Sequence, residues 1–128
     1  PENAVELDWM LPAPAQGAIM VVCREDDAYC LTACKNFNDA DTALCTKIER
    51  DFLKALLGGC STPISALAEI KQDLVYFIGN ILSPDGKDKA ETSFCLTKPE
   101  AHDLGKTAAE KILANGGADI AGKIRNAK

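Results

Sequence analysis

Ile64-Ser65-Ala66-Leu67-Ala68-Glu69-Ile70, Leu74-Val75-Tyr76-Phe77-Ile78-Gly79-Asn80-Ile81-Leu82 and Lys89-Ala90-Glu91-Thr92-Ser93-Phe94-Cys95-Leu96 read as three consecutive strands. They begin where Pro63 ends a helical period, and they are bounded by turn chemistry. Asp73 breaks the first pair. Ser83-Pro84-Asp85-Gly86 is a strong turn signal between the second and third strands.

Working upstream, the clearest helix runs from about Asp41 to Leu57. Leu44, Ile48, Phe52, Ala55 and Leu56 recur at three- and four-residue spacing and mark one apolar face. On the opposite side Lys47 and Asp51 can pair across one turn. Gly58-Gly59 is read as its stop. Asn36 to Asp41 is a polar connection, preceded by a short helix from the acidic run Glu25-Asp26-Asp27 to about Lys35, since carboxylates favour helix N-termini. Downstream, a helix is predicted over about Ala101–Leu113, ended by Asn115-Gly116-Gly117. A second covers Ala118–Arg125. Sequential strands flanked by helices imply an α+β domain: a three-stranded antiparallel sheet packed against helices. Ahead of it, Pro12 and Pro14 forbid a helix in residues 1–14. Gly17 to Arg24 has β-branched strand character, and its near-continuous apolarity predicts burial on both faces.

The 128 residues are enough for one packed core, and 47% hydrophobic with 26% charged residues is ordinary for a globular protein. The longest apolar run, Gly17 to Cys23, is far too short to cross a membrane, so no membrane partner is expected. Nothing resembles a signal peptide, and a cytoplasmic location is expected. The chain starts at Pro1, which fits either ordinary processing or excision from something longer. A net charge of -5 argues against nucleic acid. The first 60 residues hold ten Asp/Glu against five Lys/Arg, so this half would repel an anionic ligand unless other parts compensate.

Six cysteines (Cys23, Cys30, Cys34, Cys45, Cys60, Cys95) admit a disulfide framework or reduced thiols used as small core hydrophobes. The second is favoured. Cys30 and Cys34 share a helical face with Ala33 and Phe37, and Cys23 and Cys95 fall in strand-like runs. No metal site is expected: Cys30-x3-Cys34 has no matching second pair, and the single histidine, His102, is remote.

Glu49-Arg50-Asp51-Phe52-Leu53-Lys54-Ala55-Leu56-Leu57-Gly58-Gly59-Cys60-Ser61-Thr62-Pro63-Ile64 places Cys60 alone among the cysteines outside regular structure. Two glycines ahead of it let the backbone turn sharply and a bulky group approach closely. A loop thiol is free to reach a ligand. On these residues alone, a helix stop followed by a small loop residue is the simpler account.

This run resembles the signature of porphobilinogen deaminases (hydroxymethylbilane synthases): Glu-Arg-x-hydrophobic, then Gly-Gly-Cys-x-Thr/Val-Pro. The resemblance extends to Leu11-Pro12-Ala13-Pro14-Ala15-Gln16-Gly17-Ala18-Ile19 with Arg24 beyond it, to Ser83-Pro84-Asp85-Gly86, and to Asn115-Gly116-Gly117-Ala118. It implies a transferase of tetrapyrrole biosynthesis that joins four porphobilinogen units into hydroxymethylbilane. Cys60 would carry the dipyrromethane cofactor through a thioether, with Gly59, Ser61 and Gln16 beside it. Porphobilinogen loses ammonia to give an electrophilic methylene carbon, which a sulfur nucleophile captures, so Cys60 would be an anchor rather than an acid, base or metal ligand.

Residues 1–24 would then be an arm whose strand belongs to domain 1, and 25–128 the cofactor-anchoring domain. Domains 1 and 2 of the same chain, with the catalytic aspartate and arginine cluster, would be missing, leaving no catalytic residue here and the piece inert by itself. An unpaired arm could also dimerise non-natively. Arg50 would act structurally across a domain interface, and His102 would be a surface residue. One departure is Val22, where the family often has glutamate. Two rivals stand beside this reading: a stand-alone interaction domain with structural cysteines, and a secreted disulfide module.

Overall fold

The computed structural model describes residues 2–5, 7, 9–56 and 62–126. Helix α1 (Ala28–Lys35) is capped by Asp27, whose carboxylate accepts from the Cys30 N–H at 2.9 Å. Helix α2 (Ala40–Ala55) is capped in the same way by Asp39, which accepts from the Thr42 N–H at 2.7 Å. Each cap satisfies a backbone donor that the first helical turn leaves without an internal partner. The last helical residue is Ala55, with Leu56 closing the turn. The Gly58-Gly59 stop expected from the sequence lies outside the described residues.

Three strands follow as an antiparallel meander, β1 (Ile64–Lys71), β2 (Leu74–Leu82) and β3 (Lys89–Thr97), in sheet order β1-β2-β3. All three lie where the sequence predicts them. The β1–β2 hairpin turns on Gln72 and Asp73, both with positive φ (52° and 65°), pairing Lys71 with Leu74. That conformation matches the right-handed twist of the flanking strands. The β2–β3 turn is tied by Ser83: its hydroxyl donates to Asp85 at 2.6 Å and accepts from the Asp88 N–H at 2.9 Å.

After β3 a short 3-10 helix (Lys98–Asp103) leads into α3 (Leu104–Ile112). A wide turn over Leu113–Gly117 joins it to α4 (Ala118–Asn126). At Gly116 φ is +93°, a conformation glycine adopts without the Cβ clash other residues suffer, and the helical path breaks there as the sequence implies.

Alternation decides the layers. Ile64, Ala66, Ala68, Val75, Phe77, Ile81 and Ala90 point to one face of the sheet and are buried. They meet Ile48, Phe52 and Leu56 of α2, Leu104, Ala108 and Ile112 of α3, and Ile120 and Ile124 of α4. Phe52 and Phe77 stack edge to face, 5.2 Å between ring centroids, at the centre. Helices α2 and α3 approach closely because Gly105 has no side chain: a Cβ there would sit 2.1 Å from the Ile48 carbonyl oxygen. The other sheet face carries Leu67, Tyr76, Ile78, Ser93 and Cys95. The fold is therefore the expected α+β arrangement.

The N-terminal third departs from expectation. Residues 18–24 form no strand, and Ile19 and Val22 are 93% and 78% exposed. A strand exists only where a second strand completes its hydrogen bonds, and none of the described residues pairs with this one. Helix α1 buries none of its residues, and Phe37 is 79% exposed. Of the described cysteines, expected as small core hydrophobes, only Cys45 packs against the core. Cys23 and Cys95 are exposed, Cys30, Cys34 and Cys45 are half-buried, and all five are unpaired.

Candidate functional site

Gly59, Cys60 and Ser61 lie outside the described residues, so the site is built from its flanks. Upstream, Leu56 is buried, its N–H held by the Phe52 carbonyl at 3.1 Å. Downstream, the Thr62 carbonyl accepts from Ile64, and the Pro63 carbonyl accepts from Leu82 at 2.9 Å, fastening the exit to the end of β2. Leu56 and Thr62 line one small crevice together with Ala121, Ile124 and Arg125. Both ends of the cysteine-bearing connection therefore meet at α4, on two rigid elements. Arg125 is the charged residue at that crevice.

Gln16 lies on a turn over Ala13–Gly17. Its Oε1 accepts from the Ala13 N–H at 3.0 Å, so the side chain braces its own turn. The turn sits against the outer edge of β1, where the Pro12 carbonyl accepts from the Ala66 N–H at 3.1 Å.

Glu49 completes that edge, and the sequence reading gave it no role. It occupies a buried position on α2 next to Ile48. One carboxylate oxygen accepts from the Ala68 N–H at 2.7 Å, the other from the Ala15 N–H at 2.6 Å. A single side chain thus joins the helix, the sheet edge and the Gln16 turn. Burial raises its pKa above the ordinary glutamate value, and the two backbone N–H bonds oppose that rise without cancelling it. The available signal was an acid directly after a core isoleucine in a helix, a placement that needs a partner.

Arg50, one residue on, is exposed and reaches the arm: its Nη2 lies 3.6 Å from the Met20 sulfur. His102 is exposed, and its carbonyl accepts from Lys47 Nζ at 2.8 Å. The predicted Lys47–Asp51 pair is present at 2.6 Å. Among the described residues no helix is long and apolar enough to cross a membrane.

Residues 43–114 match the family model described as "Porphobilinogen deaminase, C-terminal domain". The chain is 39% identical to the porphobilinogen deaminase of Macrococcus caseolyticus over 109 residues, covering 85% of this chain and 35% of that protein. It is 39% identical to that of Brevibacillus brevis over 115 residues (89% and 37%). Against that of Staphylococcus aureus strain Newman it is 37% identical over 117 residues (91% and 37%). The chain spans about a third of the length of these relatives. With more than half of its residues under the family model, the chain belongs to the porphobilinogen deaminase family and carries its C-terminal domain.

Proposed function

We propose that this chain is the C-terminal part of a cytoplasmic transferase of porphyrin and heme biosynthesis, which condenses four porphobilinogen molecules into hydroxymethylbilane. Its task there is to hold the dipyrromethane primer, with Cys60 as the covalent anchor and Gly59, Ser61 and Gln16 beside it. Residues 1–24 act as an arm that joins upstream domains 1 and 2 of the same polypeptide, and 25–128 form the anchoring domain.

The observation that carries this reading is the family match, which spans Cys60. The fold supports it. Leu56 at the end of α2 is buried, and Thr62 and Pro63 before β1 are fastened by backbone bonds, so a group attached between these two elements would be held on rigid supports. A thioether suits a primer that must survive repeated condensations, since sulfur captures an electrophilic methylene carbon and then releases it only slowly. When bound, dipyrromethane supplies the pyrrole carbon to which the first substrate is added. Gln16 Nε2 can donate to a ligand carboxylate while Oε1 keeps the turn in place.

Intact-mass measurement of the longer enzyme, with Cys60→Ala beside it, tests the anchor. The unsubstituted enzyme should carry the added mass of one dipyrromethane, and Cys60→Ala should lose it while melting at a similar temperature. Dipyrromethane retained on Cys60→Ala would refute the assignment. The 128-residue chain alone should form no hydroxymethylbilane, because the anchor supplies neither the proton-transfer group nor the carboxylate clamps that condensation needs.

A further inference from the structure

The wide turn between α3 and α4 contains Asn115-Gly116, the one Asn-Gly step in the chain. Asparagine is a thermally labile residue, and the anchoring role makes no use of this one. Asn115 (φ -107°, ψ 41°) and Gly116 (φ +93°) both leave helical geometry. Both are exposed, and nothing lies within 4 Å of where a Gly116 Cβ would stand. The backbone here is therefore free of the regular geometry and packing that protect an asparagine inside a helix. We propose that Asn115 is a site of spontaneous deamidation, and that the isoaspartate so formed loosens α4 from the ends of the connection that carries Cys60.

The site is selected by its surroundings. With no Cβ on Gly116, its backbone nitrogen can approach the Asn115 side chain with little hindrance. The other asparagines precede Ala4, Phe37, Asp39, Ile81 and Ala127, and Asn80 is also buried within β2. Asp85-Gly86 has the same glycine, but its carboxylate is engaged: Oδ1 accepts from the Ser83 hydroxyl at 2.6 Å and from the Lys87 N–H at 3.3 Å. Those bonds keep Asp85 ionised and in place, and an ionised carboxylate is a poor target for attack.

The reaction needs only water. The Gly116 nitrogen attacks Cγ of Asn115 and gives up its proton as the new C–N bond forms. The Cγ–Nδ2 bond breaks, and ammonia leaves with that proton, closing a succinimide ring. Water then opens the ring. Attack at Cγ gives an ordinary aspartate. Attack at the main-chain carbonyl carbon leaves the chain running through Cβ and Cγ, an isoaspartate with an extra methylene in the backbone. One water has entered, one ammonia has left, and nothing is oxidised or reduced. The turn has no slack for that methylene. Gly117 is buried, and a Cβ on it would stand 2.7 Å from the Ile112 carbonyl oxygen, so the chain runs hard against the end of α3. A longer backbone at Asn115 strains that contact and displaces α4. Ile120 and Ile124 of α4 belong to the core, and Ala121, Ile124 and Arg125 line the crevice with Leu56 and Thr62. Ordinary aspartate keeps the backbone length and leaves α4 seated.

The test incubates the 128-residue chain in mildly alkaline buffer made with heavy-oxygen water, then digests it with trypsin in ordinary water. Cleavage after Lys111 and Lys123 releases peptide 112–123, in which Asn115 is the sole asparagine. That peptide should exchange its side-chain NH2 for a heavy-oxygen OH and split into two chromatographic forms, isoaspartate in excess. Peptides holding Asn36, Asn38 and Asn80 should keep their amides. Asn115→Gln, whose longer side chain closes its ring far more slowly, should stay unmodified and keep the thermal melt of the parent. Hydrogen exchange reads the second half of the proposal: α4 amides should exchange faster in the isoaspartate form and match the parent in freshly prepared Asn115→Asp. If peptide 112–123 stays unmodified in the folded chain while the same peptide free in solution converts, Asn115 is not the site. If α4 exchange is the same in the isoaspartate form as in the parent, the loosening is overturned.

Discussion

The segment up to Lys47 and the body beyond it use similar side chains to opposite ends. From Ile48 to Ile124, apolar residues at helical and alternating positions are buried. Among the described residues from 2 to 47 none is buried, although they include Trp9, Ile19, Met20, Val21, Val22 and Phe37. The difference lies in what each apolar residue can meet. In the body every helix face finds a sheet face made by the next stretch of chain, and strands pair with their immediate neighbours. The arm's apolar run has no such neighbour, so its hydrophobicity remains as exposed surface of the kind that marks interaction sites. The turn at Ala13–Gly17 is tied down by Glu49 and by the bond from the neighbouring Pro12 carbonyl to β1, and Arg50 reaches Met20 beyond it.

The comparison breaks most visibly at the core. Phe52→Ala removes the ring that faces Phe77 and should cost about 3–5 kcal/mol of stability, read from urea unfolding. A loss below about 1 kcal/mol would mean the body is not the cooperative unit described here.

Glu49→Gln probes the seam between the two regions. An amide cannot accept from both N–H groups, so one of Ala15 or Ala68 is left facing a donor, at a cost of about 1–3 kcal/mol. The Ala13–Gly17 turn should then exchange its amide hydrogens faster while the strands keep their protection. The pH dependence has a definite sign. Since the folded pKa is raised, the native state holds this proton more tightly. Its contribution to stability is therefore fully present below the ordinary glutamate pKa of about 4.3 and is lost as pH rises through the raised value. Glu49→Gln should remove that component of the slope. An unchanged slope would show that Glu49 titrates normally.

The smallest stability effect is expected in the arm. Ile19→Asp with Val21→Asp should change stability by less than about 0.5 kcal/mol, since both side chains already lie in solvent. Cys30→Ala should be equally mild, where a core position would have cost more. Yet the double substitution should abolish whatever self-association the chain shows in sedimentation, because it removes the unpaired apolar run. A dimer that survives it would locate the contact elsewhere.

Much of the body was legible in the residues. The α2 face through Ile48, Phe52 and Leu56, the three strands and the break at Asn115-Gly116-Gly117 follow from local periodicity and turn chemistry, which act between neighbours in the chain. Two glycines and a proline set Cys60 apart from the other cysteines in the sequence, but on those residues alone a helix stop was the simpler account, and its role rests on the family resemblance. Tertiary structure alone decided the rest. Whether residues 18–24 become a strand depends on a distant partner, so β-branched composition could not settle it. The exposure of Cys23 and the half-burial of Cys30 and Cys34 depend on what α1 packs against. Glu49 became the joint between helix, sheet edge and arm because Ala15 and Ala68, far from it in sequence, bring their N–H groups to one buried carboxylate.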